Sequence, residues 1–217
     1  FTPEGCTSFP LSPPAPMSSQ GSSYVLSNGV LLPMVGIGTY KLRGAKCQES
    51  LLTAINAGVR HIDTSEIYGN HSEIGELLQN LDSDPSSGIM RHEIFLTTKI
   101  GPKSMNRAVD RFHQSLRELG VSYVDLLLIH WPGVAGKRPN SDAHRSARIK
   151  CWLDMQELYL QGLCRAIGVS NFNISHLEEI ISDDRVTVKP HVLQIEVHPM
   201  FQQKQLLEYC RHHQIHV

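Results

Sequence analysis

The sequence predicts an α/β fold, an incomplete (β/α)8 TIM-type barrel entered through an N-terminal β-hairpin. Three observations predict it. Six apolar, strand-like runs are each followed by an amphipathic helical run, and repeated β-then-α units with right-handed crossovers make a parallel sheet. No glycine-rich GxGxxG loop follows the first run, which counts against an open doubly wound sheet. The nearest string, Gly36-Ile37-Gly38-Thr39, is too short and lacks the third glycine. Polar residues close successive strands, and a parallel barrel gathers those ends onto one face, where barrel enzymes keep their active sites.

The elements follow in order. Residues 24–33 read as a hairpin, with Val25-Leu26 and Val30-Leu31-Leu32 flanking Asn28-Gly29, a dipeptide suited to a type I′ turn. Residues 34–38 form a short strand. Residues 47–57 form a helix with Leu51, Leu52 and Ile55 on one face and Gly58 to end it. A strand over 59–63 leads to a helix over 72–81 with Ile74, Leu77, Leu78 and Leu81 inward. A strand over 94–99 leads to an amphipathic helix over 104–119, whose stripe is Val109, Phe112, Leu116 and Leu119 and whose C-cap is Gly120. The strand over 124–130 is broken by Pro132-Gly133, and residues 133–145 form a polar loop placed to lean over the barrel mouth. A helix over 149–161, a strand over 166–170, a helix over 175–181, a strand over 192–197 and a helix over 202–213 complete six units. Ile215-His216-Val217 opens a seventh strand. Eight strands close such a barrel, so the chain is expected to stop short of closure.

The 217 residues fit one domain, with 24–217 as the partial barrel and 1–23 as a disordered or adventitious N-terminal segment. Residues 1–16 hold five prolines and no charged head or apolar core of a secretory signal, and Met17 is a plausible native start. A net charge of -1 gives no electrostatic case for nucleic acid or an anionic membrane as partner. No apolar run reaches the roughly 18 residues of a membrane span. The five cysteines are odd in number, scattered and never spaced as CxxC, which points to reduced thiols and a cytoplasmic protein. His212, His213 and His216 cluster near the end, but no HExxH string, cysteine pair or carboxylate joins them at ligand spacing, so no metal site is expected.

Asp63, Tyr68, Lys99 and His130 stand where consecutive strands end. Taken singly each has a plain structural reading: a cap aspartate, a rim tyrosine, a solvated strand end, a buried histidine. Brought to one face they have a joint chemistry. Reducing a carbonyl needs hydride at carbon and a proton at oxygen. A free tyrosine, with a pKa near ~10, is a weak donor at neutral pH. A lysine ammonium beside it favours the phenolate and is expected to lower that pKa. A carboxylate keeps the lysine charged and aimed. Tyr68, Lys99 and Asp63 take these three roles, and His130 orients the substrate oxygen or helps relay the proton. No side chain supplies hydride, so a cofactor must.

The motifs carry a resemblance. Gly58-Val59-Arg60-His61-Ile62-Asp63-Thr64-Ser65, with Tyr68, Asn70, Ile74 and Gly75 at fixed offsets, resembles the first signature of the aldo-keto reductases. Ala166-Ile167-Gly168-Val169-Ser170-Asn171-Phe172 resembles their second, and His130-Trp131-Pro132 and Gln194-Ile195-Glu196-Val197-His198-Pro199 fit the same family. The resemblance implies NADPH as hydride source and a small carbonyl compound as substrate. It implies that Ser170, Asn171 and Gln194 hold the nicotinamide carboxamide, with Thr39 and Asp63 also on the cofactor side. Trp131 and Tyr40, with His130, would wall the substrate pocket. A monomer is expected for an intact barrel.

The sequence departs from the family pattern at Val59, usually aromatic, and His71, usually glutamate or glutamine, where altered packing with intact chemistry is expected. The family's seventh and eighth units, which carry a stacking aromatic residue and a basic segment gripping the 2′-phosphate, are missing from this sequence. Two rival readings follow: a cofactor-binding regulatory protein on the same barrel, and an inactive truncated product.

Overall fold

The computed structural model describes residues 22–217, so the reading of residues 1–21 lies outside the described residues. Two sheets are present among the described residues. β1 (Ser23–Val25) and β2 (Leu31–Pro33) pair antiparallel as a hairpin. β3 (Ile37–Gly38), β4 (His61–Asp63), β5 (Phe95–Ile100), β6 (Val124–Ile129), β7 (Cys164–Ser170) and β8 (Val192–Gln194) form one parallel sheet in chain order. A doubly wound sheet would reverse its strand order at a switch point. Here each strand adds to the same side of the one before, the order of a curled, partly built barrel. Helices α1 (Gly44–Asn56), α2 (His71–Ser83), α3 (Ala108–Leu119), α4 (Ala143–Leu160), α5 (Ile174–Ile181) and α6 (Lys204–His212) each follow a strand. Beyond α6, His216 bridges Val192 in parallel, with Leu193 donating to the His216 carbonyl at 2.8 Å.

Period two sorts the strand residues into two cores. Phe95, Leu126, Leu128, Ala166 and Val192 cluster with Leu26 and Leu32 of the hairpin region. Their neighbours Leu96, Leu127, Ile167 and Leu193 join the larger core beneath the helices. The first set faces the barrel interior, and the hairpin plugs that interior at its lower, N-terminal end. Asn28 fastens the plug by donating to the Arg165 carbonyl at 2.9 Å. The same alternation carries Asp63, Lys99, Ser170 and Gln194 to the interior face at the upper end. Two glycines allow close approach. A Cβ on Gly75 would stand 2.8 Å from the Leu119 backbone, where α2 meets α3, and one on Gly168 would stand 2.3 Å from the Val192 carbonyl oxygen.

Several boundaries differ from expectation. The hairpin is not closed by a type I′ turn: only Gly29 has positive φ (85°), and Leu26 pairs with Val30 across a three-residue loop. A three-residue loop needs one left-handed residue, so glycine alone suffices. Leu52 does not join the buried face of α1; Cys47, Leu51 and Ile55 do, at four-residue spacing, while Leu52 turns outward. α4 begins at Ala143 rather than 149, shortening the loop after β6. The last strand is shorter than expected, ending at Gln194.

Candidate active site

The site grows from the turn after β4. Asp63 ends that strand facing inward, and Ser65 starts a 3-10 turn over Glu66–Tyr68 that Gly69 ends at φ 65°. Asn70 pins the turn from behind. It is fully buried, donates to the carbonyls of Thr39 (2.9 Å) and Leu42 (3.0 Å), and accepts from the Thr64 hydroxyl at 2.8 Å. Glu66 pins it from the side, accepting from the Gly101 amide, the Ser104 hydroxyl and the Arg111 guanidinium. So fixed, the turn lays the Tyr68 ring over the end of the next strand.

Lys99 is the inward residue at the top of β5 and is 1% exposed. Its ammonium is paired with Asp63 and donates to the Thr64 carbonyl at 3.0 Å. The other Asp63 oxygen accepts from Gln194 at 2.8 Å. Lys99 Nζ stands 5.1 Å from the centroid of the Tyr68 ring. His130, one residue past β6, meets Tyr68 edge-on with ring centroids 5.6 Å apart. The four residues singled out from strand ends therefore share one place.

The electrostatics correct one expectation. Tyr68 is not acidified by its lysine. Burial, with Asp63 and Tyr40 acting in the same direction, pushes it up to about 12. Two of the ammonium's three N–H groups go to Asp63 and the Thr64 carbonyl, and burial of the phenol outweighs what the lysine does for it. Burial likewise pulls Lys99 below the usual lysine value, against the opposing pull of Asp63. Burial, helped by the Lys99 charge, lowers His130 to about 4, so its ring is neutral at pH 7.

Tyr68 and His130 open onto a cavity of about 410 Å³, within the ordinary range for small-molecule sites. Tyr40, Trp131, Ser170, Asn171 and Gln194 line it too. Asn171 adopts φ 61°, held by its amide bond to the Gln194 carbonyl at 3.0 Å. Its side-chain nitrogen donates to the His130 carbonyl (2.9 Å) and to Ser170 Oγ (3.2 Å). With that nitrogen and Gln194 Nε2 engaged, these lining residues keep one hydroxyl donor, from Ser170, and two amide oxygens without a partner among the described residues. Thr39 is placed differently. It is fully buried behind the site, gives its hydroxyl to the Asp63 carbonyl at 3.1 Å, and does not line the cavity.

The chain matches the family model described as "Aldo/keto reductase family" over residues 34–217. This chain belongs to that family. It is 38% identical to glyoxal reductase of Bacillus subtilis over 189 residues, 86% of this chain and 62% of that protein. It is 32% identical to the NADP(+) glycerol 2-dehydrogenase of Saccharomyces cerevisiae, over 91% of this chain and 67% of that protein. Among solved structures, a Bombyx mori aldo-keto reductase in complex with NADP superposes with a TM-score of 0.78 at 29% identity, covering 91% of this chain and 65% of that one. The chain spans about two thirds of the length of these relatives.

Three residues that hold the site together escaped the reading of the sequence. Ser65 lies 2.9 Å from His130 Nδ1, and Glu66 and Arg111 lock the turn that carries Tyr68. Ser65 had a usable signal, since it shares strand parity with Asp63. The Glu66–Arg111 pair had none, because 45 residues separate its members. His71, a departure from the family pattern, is buried between Glu118 and Thr98, bonded to each at 3.1 Å. Among the described residues no three or more His, Cys, Asp or Glu side chains are grouped to hold a metal ion, and no helix is long and apolar enough to cross a membrane.

Proposed function

We propose that this protein reduces aldehydes or ketones to alcohols, with NADPH as hydride source and Tyr68 as proton donor. One observation carries the reading: a lysine buried against an aspartate lies beneath a protonated tyrosine and a neutral histidine, both opening on one cavity. The rim fits the cofactor's amide. A carboxamide offers one acceptor oxygen and two N–H groups, which complements the Ser170 hydroxyl and the side-chain oxygens of Asn171 and Gln194. When bound, NADPH supplies hydride to the carbonyl carbon.

The residues supply the rest. The substrate oxygen sits between the Tyr68 hydroxyl and His130, and both groups polarise it. A phenol pushed up to about 12 holds its proton throughout the neutral range. It surrenders that proton only to a stronger base, and the alkoxide that forms as hydride arrives is one. Lys99 then stabilises the phenolate left behind, and Asp63 keeps the ammonium charged in its buried position. Tyr40 and Trp131 exclude water from the reacting carbonyl. The partner is thus a small carbonyl compound, the location cytoplasmic in keeping with four buried free thiols, and the acting unit a monomer.

The test follows NADPH oxidation with an aromatic aldehyde, alongside NADPH titration of tryptophan fluorescence, since Trp131 lines the cavity. Saturable quenching with turnover is the expected result. Quenching without turnover would replace the reductase with a cofactor-binding regulatory role.

A further inference from the structure

We propose that Ser65 is a positioning residue that sets the tautomer of His130, holding its proton on Nε2, where it points a donor at the substrate oxygen. The inference rests on the carbonyl-reductase reading above. Ser65 is fully buried, and its Oγ lies 2.9 Å from His130 Nδ1. Two other groups compete for that hydroxyl, both at 3.5 Å: the Lys99 carbonyl as an acceptor and the Ile67 amide as a donor. At 3.5 Å a hydrogen bond is marginal, whereas 2.9 Å is near the optimum. The distance alone allows either direction; we assign the hydroxyl hydrogen to Nδ1 because its one other acceptor within reach, the Lys99 carbonyl, is marginal, while the Ile67 amide takes one of the oxygen's two lone pairs.

The consequence follows from imidazole chemistry. A neutral ring carries one proton, and the nitrogen that accepts a hydrogen bond cannot be the one that bears it. With Nδ1 accepting from Ser65, the proton is on Nε2. That nitrogen makes no hydrogen bond to another described residue, and the ring lines the cavity beside Tyr68. A carbonyl oxygen arriving there meets two donors, the Tyr68 hydroxyl and His130 Nε2–H. The opposite tautomer would present a lone pair and repel it. The neutrality that burial imposes on His130 is what makes the tautomer matter, because a charged ring would donate from both nitrogens.

Nitrogen NMR of the cofactor-free protein labelled at histidine reads the tautomer directly, with the His130 signals assigned by their loss in His130→Asn. The expected result is a protonated Nε2 and an accepting Nδ1 in the native protein, and a mixed tautomer in Ser65→Ala. Ser65→Thr keeps the hydroxyl and restores the native pattern. In the activity assay Ser65→Ala should lose on the order of fivefold in kcat/KM for the carbonyl, the worth of one hydrogen bond, with NADPH affinity unchanged. An unchanged His130 spectrum in Ser65→Ala, with native amide shifts elsewhere, overturns the proposal whether or not the protein turns over. Absence of turnover in the native protein sinks the reductase reading alone and leaves the tautomer result standing.

Discussion

Both ends of the parallel sheet set an aspartate against a cation, and the two pairings differ in what they leave over. At the lower end Asp125, 1% exposed, accepts from Arg91 (3.1 Å), Arg165 (3.0 Å) and the Leu96 amide (2.9 Å). Both carboxylate oxygens are engaged, and the residue is closed off from solvent. At the upper end Asp63 and Lys99 satisfy each other, yet the groups above them, Tyr68 and His130, keep unspent hydrogen-bonding capacity facing a cavity. A saturated buried charge stabilises the fold, and one beside unsatisfied donors is equipped for chemistry. The C-terminal ends of the strands carry the second kind, as barrel geometry requires.

Substitutions can break this contrast. Tyr68→Phe should have the largest effect, lowering kcat by about 10²–10⁴ while thermal unfolding and NADPH titration stay native. Full turnover in that variant would remove the upper end's claim to chemistry. Asp125→Ala should instead cost about 3–5 kcal/mol of stability in a denaturant titration, because it strands two arginines beside a buried amide. Lys99→Met sharpens the comparison. It should abolish most turnover but cost only about 1–2 kcal/mol of stability, since Asp63 keeps its bond to Gln194 and is 16% exposed to solvent. A loss of stability as large as that of Asp125→Ala would make the two ends alike.

The smallest effect concerns pH. His130 titrates at about 4 in the fold against 6.5 when unfolded. Between those values the unfolded chain binds more protons, so stability is complete above about pH 6.5 and drains away as the pH falls toward 4. His61, His71, His176, His191 and His216 are lowered by burial as well, so the slope belongs to all six. His130→Asn should flatten it by about 1 kcal/mol, a figure discounted because the ring partly meets solvent at the cavity. Denaturant midpoints at pH 7, 6 and 5 measure this, and an unaltered slope would show that His130 is not buried neutral.

Much of the site was legible because strand ends are legible. Asp63, Lys99 and His130 each close a strand-like run, and the period of two shows which side chain faces inward. Tyr68 was legible only through its motif, because the turn that carries it is held by Asn70 and Glu66, whose partners lie 28 to 45 residues away in the chain. The acidity of Tyr68 was misread for a related reason. Proximity of an ammonium was inferable, but the burial of the phenol that outweighs it was not.

The order of strands and helices, the parity that sends alternate residues inward, and the identity of the four groups at the strand ends were written locally, in apolar periodicity and turn residues a few positions apart. Which donors remain free did not follow from such patterns. It required the distances at which Ser65, Thr64, Gln194 and Glu66 meet their distant partners. Hydrogen bonding is a competition among groups brought near by folding, and only the assembled site decides the winners.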